Sequence, residues 1–371
     1  MSATSVEDRR LLAESVRAAA SGSSPRPLLA EHGAAGTDEA LWVTLSQQIG
    51  LAGLLAPEDL GGADAGVAEV AAALGELAAQ LSPVPALASM GMAGPLLAVT
   101  GDGPVRALRA RLVEGTPASV AWPHPDGADL TPTLRLEEGM VHGEARFVVD
   151  GMAAQVLIAP AAGPDGVVLV ALETEAAGVS RTPMTALDIT RGLAAVTFDG
   201  APAVTLTAPH PSAEFLRPGL DIALTCLAAE QVGIASRCLD EAVAWAKERV
   251  QFDRTIGSFQ AIKHTLVDLL QDVELSRSAL DIAVAAADAY LEEPTDRTAS
   301  ALNIAASAAK AMCGDAATRV TDETLHIFGG IGFTWEHDAH LYFRRARTLE
   351  LLLGAPDDHR ARLASALGVG R

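Results

Sequence analysis

The C-terminal half of the chain carries the pattern that most restricts the fold. Four long stretches have helical patterns with apolar side chains, many of them alanine, on most faces: residues 219–250, 258–291, 295–328 and 336–353. Each is longer than the average helix of roughly 11 to 12 residues. Helices with several apolar faces pack together as a bundle, often partly against other subunits. We therefore predict a C-terminal four-helix bundle domain over residues 210–371.

In the two preceding segments the apolar side chains recur at different spacings. Residues 1–116 show helical spacing of apolar side chains, and Thr37-Asp38 is a predicted cap for a helix that begins at Glu39. Residues 117–209 contain short Val- and Leu-rich runs separated by Gly, Pro and Asp, which is the spacing of a β-sandwich or barrel. The predicted fold class is α+β, with an N-terminal α-helical domain, a middle β domain and the C-terminal bundle.

Charge excludes some classes of partner. The 371 residues include 47 acidic and 27 basic side chains, so the formal net charge is −20. This charge argues against nucleic acid and anionic membrane surfaces as partners, whereas a phosphorylated small molecule needs only one local basic patch. The apolar fraction of 49% is far too high for a disordered chain.

Cysteine use and the apolar runs predict a soluble cytoplasmic protein. Cys226, Cys238 and Cys313 lie in Ala-rich apolar stretches without zinc spacing, so we expect reduced core residues. The first twenty residues lack the apolar core of a secretory signal. No uncharged apolar run reaches the roughly 18 residues that a membrane span requires.

A loop between the first two long helices holds the first candidate site. In residues 248–264, Arg249 and Arg254 flank Phe252, and Ser258 is a predicted cap for the next helix. Arginines beside a helix N-terminus suit a pyrophosphate, because they add a fixed positive fork to free backbone N–H groups. Phe252 can lie against a flat ring. The same residues also fit an ordinary surface loop with solvated arginines.

The second candidate site is a glycine-rich stretch after the third long helix. Gly329, Gly330 and Gly332 lack a Cβ, so a backbone or a ligand can approach closely. The stretch also fits a glycine cap followed by a turn. It follows a helix and not a strand, which excludes a dinucleotide-binding fold at this position.

Together, in this order and architecture, the two stretches resemble the acyl-CoA dehydrogenase family of flavoproteins. Residues 50–62 and 187–191 look like that family too. The resemblance implies FAD between the β domain and the bundle, completed by a neighbouring subunit of a tetramer. It also implies an acyl-CoA substrate and an electron-transfer flavoprotein or similar acceptor. The family has the segment around His337 and His340 without metal, so we predict no metal site, and we expect His359 on the surface.

The resemblance assigns these residues to FAD: Arg249, Gln251, Phe252, Gln260, His326, Gly329, Gly330 and Phe147. The first three match contacts to the pyrophosphate and adenosine, and Gln260 matches a further contact. His326 and the two glycines match the stretch that a partner subunit presents to that FAD. Phe147 matches an aromatic ring over the flavin.

Some positions depart from the family pattern. Asp253 stands where the family usually has Gly, His326 where it has Gln, and Val149 where it has a hydrogen-bonding Thr. The side-chain contacts to the flavin ring are therefore reduced, whereas the adenosine and pyrophosphate side is better kept. Asp221 matches a position near the adenine end of acyl-CoA.

The largest departure is at the catalytic base. The family removes a proton next to the thioester carbonyl with a Glu, but the matching position here is Leu353, and the alternative position of some relatives is Ala223. Glu230 lies two turns further along the same helix face, where burial would raise its pKa, so it is a candidate displaced base. It also fits a structural Glu paired across the bundle. Glu350 lies nearly one helical turn before Leu353, so its side chain is predicted to point away from the position of the base.

Three hypotheses therefore remain at the level of sequence. The chain is an active FAD-dependent dehydrogenase that converts an acyl-CoA to the enoyl-CoA as a homo-oligomer with Glu230 as base. Alternatively, it is the FAD-holding, base-lacking subunit of a hetero-oligomer with a related dehydrogenase chain. The third hypothesis is a non-catalytic flavin- or acyl-thioester-binding homologue that acts as a structural partner.

Overall fold

The structure is a computed structural model that describes residues 6–32, 36–127 and 129–369. It has the predicted α+β class, with helices first, then strands, then long helices. The outer ends of the predicted end domains, at Met1 and Arg371, lie outside the described residues.

Helices occupy most of residues 6–113, as the apolar spacing predicted. They are α1 (Val6–Ala20), α2 (Arg26–His32), α3 (Glu39–Val43), α4 (Val67–Ala79), α5 (Gly94–Val99) and α6 (Pro104–Val113). Asp38 caps α3, because its side chain accepts a hydrogen bond from the Leu41 amide at 2.9 Å. This contact confirms the predicted start of α3.

The central strands form one eight-stranded mixed sheet. They are β1 (Ala118–Val120), β2 (Leu134–Glu137), β3 (Met140–Val149), β4 (Val156–Gly163), β5 (Gly166–Glu173), β6 (Val179–Pro183), β7 (Leu193–Pro202) and β8 (Val204–Thr205). The order is β6-β7-β3-β2-β4-β5-β8, and β1 pairs with β4 in parallel. The register of β3 and β7 shifts between Ala145 and Val148, so the end of β3 bulges.

The C-terminal helices are α7 (Arg217–Glu248), α8 (Gln260–Glu292), α9 (Asp296–Phe328), α10 (Ala339–Leu351) and α11 (Pro356–Ala366). The first four correspond to the four predicted stretches. Helix α11 was not predicted from the sequence. Its start is nevertheless typical of a helix, with Pro356 followed by two aspartates in the first turn. Cys226, Cys238 and Cys313 are free and buried, as predicted.

Helix α7 is the central element of the core. Every residue from 219 to 232 is buried, and the helix packs against α4, α5, α8 and α9. Among the described residues, only the stretch Ala213–Glu248 is long and apolar enough to cross a membrane by those two measures. Most of its apolar window, 83%, is buried inside the structure, which is the environment of a core helix.

Helices α4 and α7 cross with their backbones nearly in contact. A Cβ built on Gly233 would lie 2.2 Å from the Gly75 carbonyl oxygen. A Cβ on Gly75 would lie 3.5 Å from the Ala229 oxygen. The N-terminal helices can therefore approach the bundle this closely only if position 233 has no side chain.

We expect Gly233→Ala to lower the free energy of unfolding by about 1–3 kcal/mol, because the two backbones must separate to admit the methyl group. Gly101→Ala is the matched control, since a Cβ there would meet nothing within 4 Å. Urea unfolding followed by circular dichroism measures both variants. Equal stability of the two variants would contradict the close crossing.

Candidate functional site

The first candidate stretch folds into a small hairpin. Strands β9 (Val250–Gln251) and β10 (Arg254–Thr255) are antiparallel and are joined by a two-residue turn. Both turn residues have left-handed backbones, with φ of 52° at Phe252 and 61° at Asp253. Two-residue hairpins favour such turns, and Asp tolerates this conformation better than most residues. Asp253, which stands where the family usually has Gly, is therefore compatible with the turn.

Phe252 is placed unusually for an aromatic residue. Its side chain is 87% exposed, and its backbone conformation is costly for a bulky residue. The ring meets the Phe259 ring edge-on, at a centroid distance of 6.2 Å. Strained and exposed residues cluster at ligand sites and interfaces, so Phe252 is a candidate contact residue.

Aromatic rings join the two candidate stretches. The Arg249 guanidinium lies over the Trp245 ring at 5.7 Å. Trp245 packs edge-on against Phe328 at 5.6 Å, and Phe328 directly precedes Gly329. The structure therefore brings the arginine-rich hairpin and the glycine-rich turn together, although almost 80 residues separate Arg249 from Gly329 in the sequence.

The remaining candidate polar groups are exposed and make mainly local contacts. Gln251 Nε2 donates to the Val250 carbonyl at 2.9 Å, and Gln260 Nε2 lies 3.4 Å from His264 Nε2. His326 Nδ1 lies 3.0 Å from the Asp322 oxygen. The exposed edges of these side chains are therefore available to a ligand or a partner chain.

Ser258 does not cap the following helix. Its hydroxyl donates to the Thr255 carbonyl at 2.6 Å, while α8 begins at Gln260 after an uncapped Phe259. The predicted cap is wrong because residues 256–258 form a separate 3-10 turn. The Arg254 guanidinium stacks on the Phe259 ring at 3.9 Å.

The candidate flavin-ring residue lies on the sheet. Phe147 is 41% exposed in the bulge of β3, with φ of 58°, and its amide donates to Met184 Sδ at 3.4 Å. Val149 is buried, and its carbonyl accepts a hydrogen bond from the Ser119 hydroxyl at 2.6 Å. In the part of the chain that the structure describes, no hydrogen bond or ring contact joins Phe147 to the hairpin.

The position where the family has its catalytic base is buried by neighbouring residues. Leu353 follows α10 with φ of 57° and is 2% exposed. A Cβ on Gly127 would lie 3.1 Å from its carbonyl oxygen, so the loop after β1 lies directly against it. Ala223 and Leu224 are fully buried. Three cavities between described residues, of about 1160, 500 and 490 Å³, are not lined by Leu353, Ala223 or Leu224.

Two buried groups hold the Leu353 loop in this conformation. Lys310 Nζ donates to the Glu350 and Gly354 carbonyls at 2.9 and 3.0 Å, and burial lowers its pKa to about 8. His359 Nε2 donates to the Leu353 carbonyl at 2.9 Å. Burial, with a smaller contribution from Lys310, lowers the pKa of His359 to about 3, so its ring is neutral. The expectation that His359 lies on the surface is wrong, because α11 folds back over this loop.

The candidate carboxylates already have partners. Both oxygens of Glu230 accept hydrogen bonds of 2.6 Å from Arg191, and both side chains are buried. Asp221 is 1% exposed and is bound by Arg362 and Asn303. Burial raises the Asp221 pKa, whereas Arg362 opposes the rise. The first contact is an ion pair between the sheet and the bundle, and the second is an ion pair within the bundle.

Glu350 is also engaged. Its side chain accepts hydrogen bonds from Thr318 at 3.2 Å and from Arg347 at 2.5 Å. It lies on α10, one turn before Leu353, as predicted from the sequence.

No group of three or more His, Cys, Asp and Glu side chains suited to a metal ion occurs among residues 6–32, 36–127 and 129–369.

Known families and structures match nearly the whole chain. The models of the acyl-CoA dehydrogenase N-terminal and C-terminal domains match residues 6–106 and 217–368. Acyl-CoA dehydrogenase IpdE2 of Mycolicibacterium smegmatis is 36% identical over 360 residues, which cover 96% of this chain and 98% of that protein.

Two solved structures are similar over almost their full length. A variant of the Tcur3481–Tcur3483 steroid ACAD is 28% identical with a TM-score of 0.84, covering 98% of both chains. A chain of the ChsE4–ChsE5 complex from Mycobacterium tuberculosis is 26% identical with a TM-score of 0.84, covering 99% of both chains. The chain therefore belongs to the acyl-CoA dehydrogenase family, whose members are FAD-dependent oxidoreductases that act on CH–CH bonds.

Proposed function

We propose that this chain is the base-lacking subunit of a mixed acyl-CoA dehydrogenase. In this assembly it helps to hold FAD, while a related chain supplies the carboxylate base and binds the acyl thioester. The observation that carries the proposal is the packed, apolar position of Leu353, which is 2% exposed beneath the loop at Gly127. Electrons then pass to an electron-transfer flavoprotein or a similar acceptor.

The chemistry requires a base that this chain does not offer. Abstraction of a weakly acidic proton needs a carboxylate within hydrogen-bond reach of that proton. Leucine and alanine stand at the two family positions for the base. Both oxygens of Glu230 already accept hydrogen bonds from the Arg191 guanidinium inside a buried pair. Glu230 is therefore proposed to be the structural partner of Arg191 and not the base.

The hairpin face fits the pyrophosphate and adenosine side of FAD. Arg249 would supply a guanidinium for a phosphate, and the exposed Phe252 ring offers a flat surface to the adenine. A Cβ on Gly329 or Gly330 would meet nothing within 4 Å, so this turn leaves room for a close approach. When bound, FAD supplies the hydride acceptor of the dehydrogenation. The residues of this chain orient its nucleotide end.

The relatives support a partner of related sequence. The two similar structures described above are named as pairs, Tcur3481–Tcur3483 and ChsE4–ChsE5, and the first is named a steroid ACAD. We therefore propose a hetero-oligomer in the cytoplasm and an acyl-CoA substrate from fatty acid or steroid degradation. The partner is expected to carry a Glu at the position of Leu353.

Purified alone, the chain is expected to show no bleaching of flavin absorbance with any acyl-CoA under anaerobic conditions, because it lacks a base. Co-purified with a related chain that has Glu at the Leu353 position, it is expected to give a yellow complex that one substrate bleaches. Bleaching of the chain alone would contradict the proposal and favour an active homo-oligomer. Bound flavin that no acyl-CoA reduces in either preparation would favour the non-catalytic homologue.

Arg249→Ala in the mixed complex is expected to weaken FAD binding about tenfold or more, because a charge-assisted hydrogen bond contributes about 1.5–3 kcal/mol. Phe252→Ala is expected to act in the same direction. Flavin released during dialysis is measured by fluorescence. Arg297→Ala is the control, since this exposed arginine lies on the first turn of α9, paired with Glu293. Equal flavin retention in all three variants would remove the hairpin from the site.

Glu230→Gln is expected to lower the free energy of unfolding by roughly 3–5 kcal/mol, because it leaves the buried Arg191 charge without its partner. Replacing both residues, Arg191→Met with Glu230→Leu, is expected to recover much of this loss. Glu241→Gln in the more exposed pair with Arg237 is the control and should cost less than about 1 kcal/mol. A Glu230→Gln protein of full stability that loses only dehydrogenation would restore Glu230 as the base.

A further inference from the structure

A cavity of about 490 Å³ lies between α2, the segment that follows β6 and the start of α10. Residues from all three predicted domains line it: Arg26, Leu29, Ala30, Ile189, Trp335 and Leu341. Pockets for small molecules have this size, commonly lie between domains, and are lined mainly by apolar and aromatic side chains. Among the described lining residues, none is assigned to FAD, so this cavity is a separate candidate site.

Trp335 gives the cavity an aromatic wall. The residue is 64% exposed, and its ring meets the His340 ring edge-on at a centroid distance of 4.7 Å. Four aliphatic residues of the lining complete the wall. An accessible indole beside aliphatic side chains suits a flat and mostly apolar molecule.

Arg26 is the charged residue of the lining. Its Nε lies 2.5 Å from Asp338 Oδ1, and its Nη1 donates to the Trp335 carbonyl. Its Nη2 is shielded from solvent and has no hydrogen-bond partner in the part of the chain that the structure describes. A shielded guanidinium N–H without a partner is costly, so this atom is a donor for a ligand oxygen.

The charges at the start of α10 favour an anion. Burial lowers the pKa of His340, Arg344 and Arg26 lower it further, and Asp338 opposes them only in part. The His340 ring is therefore neutral at pH 7.5, and the two arginines outweigh the single carboxylate around it. A ligand carboxylate next to Arg26 is therefore stabilised, although the net charge of the chain is −20.

We propose that this cavity binds an aromatic carboxylate, which is a flat ring system that carries one carboxylate group. The ring lies against Trp335 and the aliphatic side chains, and the carboxylate accepts a hydrogen bond from Arg26 Nη2. The ligand and Asp338 share the Arg26 guanidinium, so the charge of Asp338 weakens binding. The site uses none of the residues assigned to FAD, so it is independent of the proposed function.

Isothermal titration calorimetry of the full chain with 2-naphthoate, at pH 7.5 and low salt, tests the site. We expect a Kd on the order of 0.1–1 mM for a ligand of this size. Two further probes separate ring from charge. Naphthalene-2-methanol has the ring without the charge, octanoate has the charge without the ring, and both are expected to bind about fivefold or more weakly. Absence of 2-naphthoate binding, or equal binding of all three probes, would overturn the proposal.

Variants of the Arg26–Asp338 pair are expected to change the affinity for 2-naphthoate in opposite directions. Arg26→Gln should weaken binding about tenfold or more, because it removes a charge-assisted donor. Asp338→Asn should strengthen binding about threefold, because it removes the competing negative charge and keeps the shape. Arg135→Gln, in an exposed pair with Glu137, is the control and should leave binding unchanged. Equal weakening by both variants of the pair would indicate a structural effect and overturn the proposal.

Leu29→Trp keeps the test decisive if Arg26→Gln does not fold. The larger side chain fills part of the cavity and leaves the Arg26–Asp338 pair in place, so 2-naphthoate binding should weaken about tenfold. Trp335→Ala should weaken it about fivefold through loss of the aromatic wall. Flavin retention in the mixed complex should be that of wild type in both variants. Unchanged 2-naphthoate affinity in both variants would overturn the proposal.

Discussion

The close crossing of α4 and α7 is the contact on which the rest of the structure depends. Gly233 and Gly75 let the two helix backbones approach, which gives α7 neighbours on nearly every side. A charged side chain on a helix buried in this way needs an oppositely charged partner, because an unpaired buried charge is expensive. Glu230 and Asp221 therefore have arginine partners from other elements, Arg191 and Arg362. Tight packing and buried ion pairs are thus two consequences of one arrangement.

The same packing explains the division of roles that we propose. The base position is closed from several directions, since α11 brings His359 onto the Leu353 carbonyl and Lys310 holds the end of α10. The hairpin at Phe252 and the turn at Gly329 remain exposed at the other end of these helices. In our proposal the hairpin and the turn are the nucleotide-facing surface, whereas the described residues around Leu353 leave no open chamber for proton abstraction. A subunit that completes the cofactor site of a related chain needs the nucleotide-facing surface but not the chamber.

Much of the architecture could be predicted because it depends on local patterns. The four long helices follow from apolar spacing, and strands β3, β4, β5 and β7 follow from short Val- and Leu-rich runs between turn residues. The predictions that were wrong concern single contacts. Ser258 lies in a separate turn, and His359 is buried by a helix whose docking depends on distant residues. Neither contact leaves a periodic trace in the sequence, because each depends on the backbone path of a turn, from Thr255 to Ser258 and from Leu353 to His359, and not on the spacing of apolar residues.

The sequence by itself determined the order of helices and strands, the family, and the loss of a carboxylate at position 353. Each of these is a matter of residue type at a local spacing. Only the tertiary structure decided what the remaining carboxylates do. Glu230 is a buried acidic residue in either interpretation, and its role depends on Arg191, a residue of another domain that lies 39 positions earlier. Electrostatic partners are set by distance in space, so this pair appears only once the sheet and the bundle have come together.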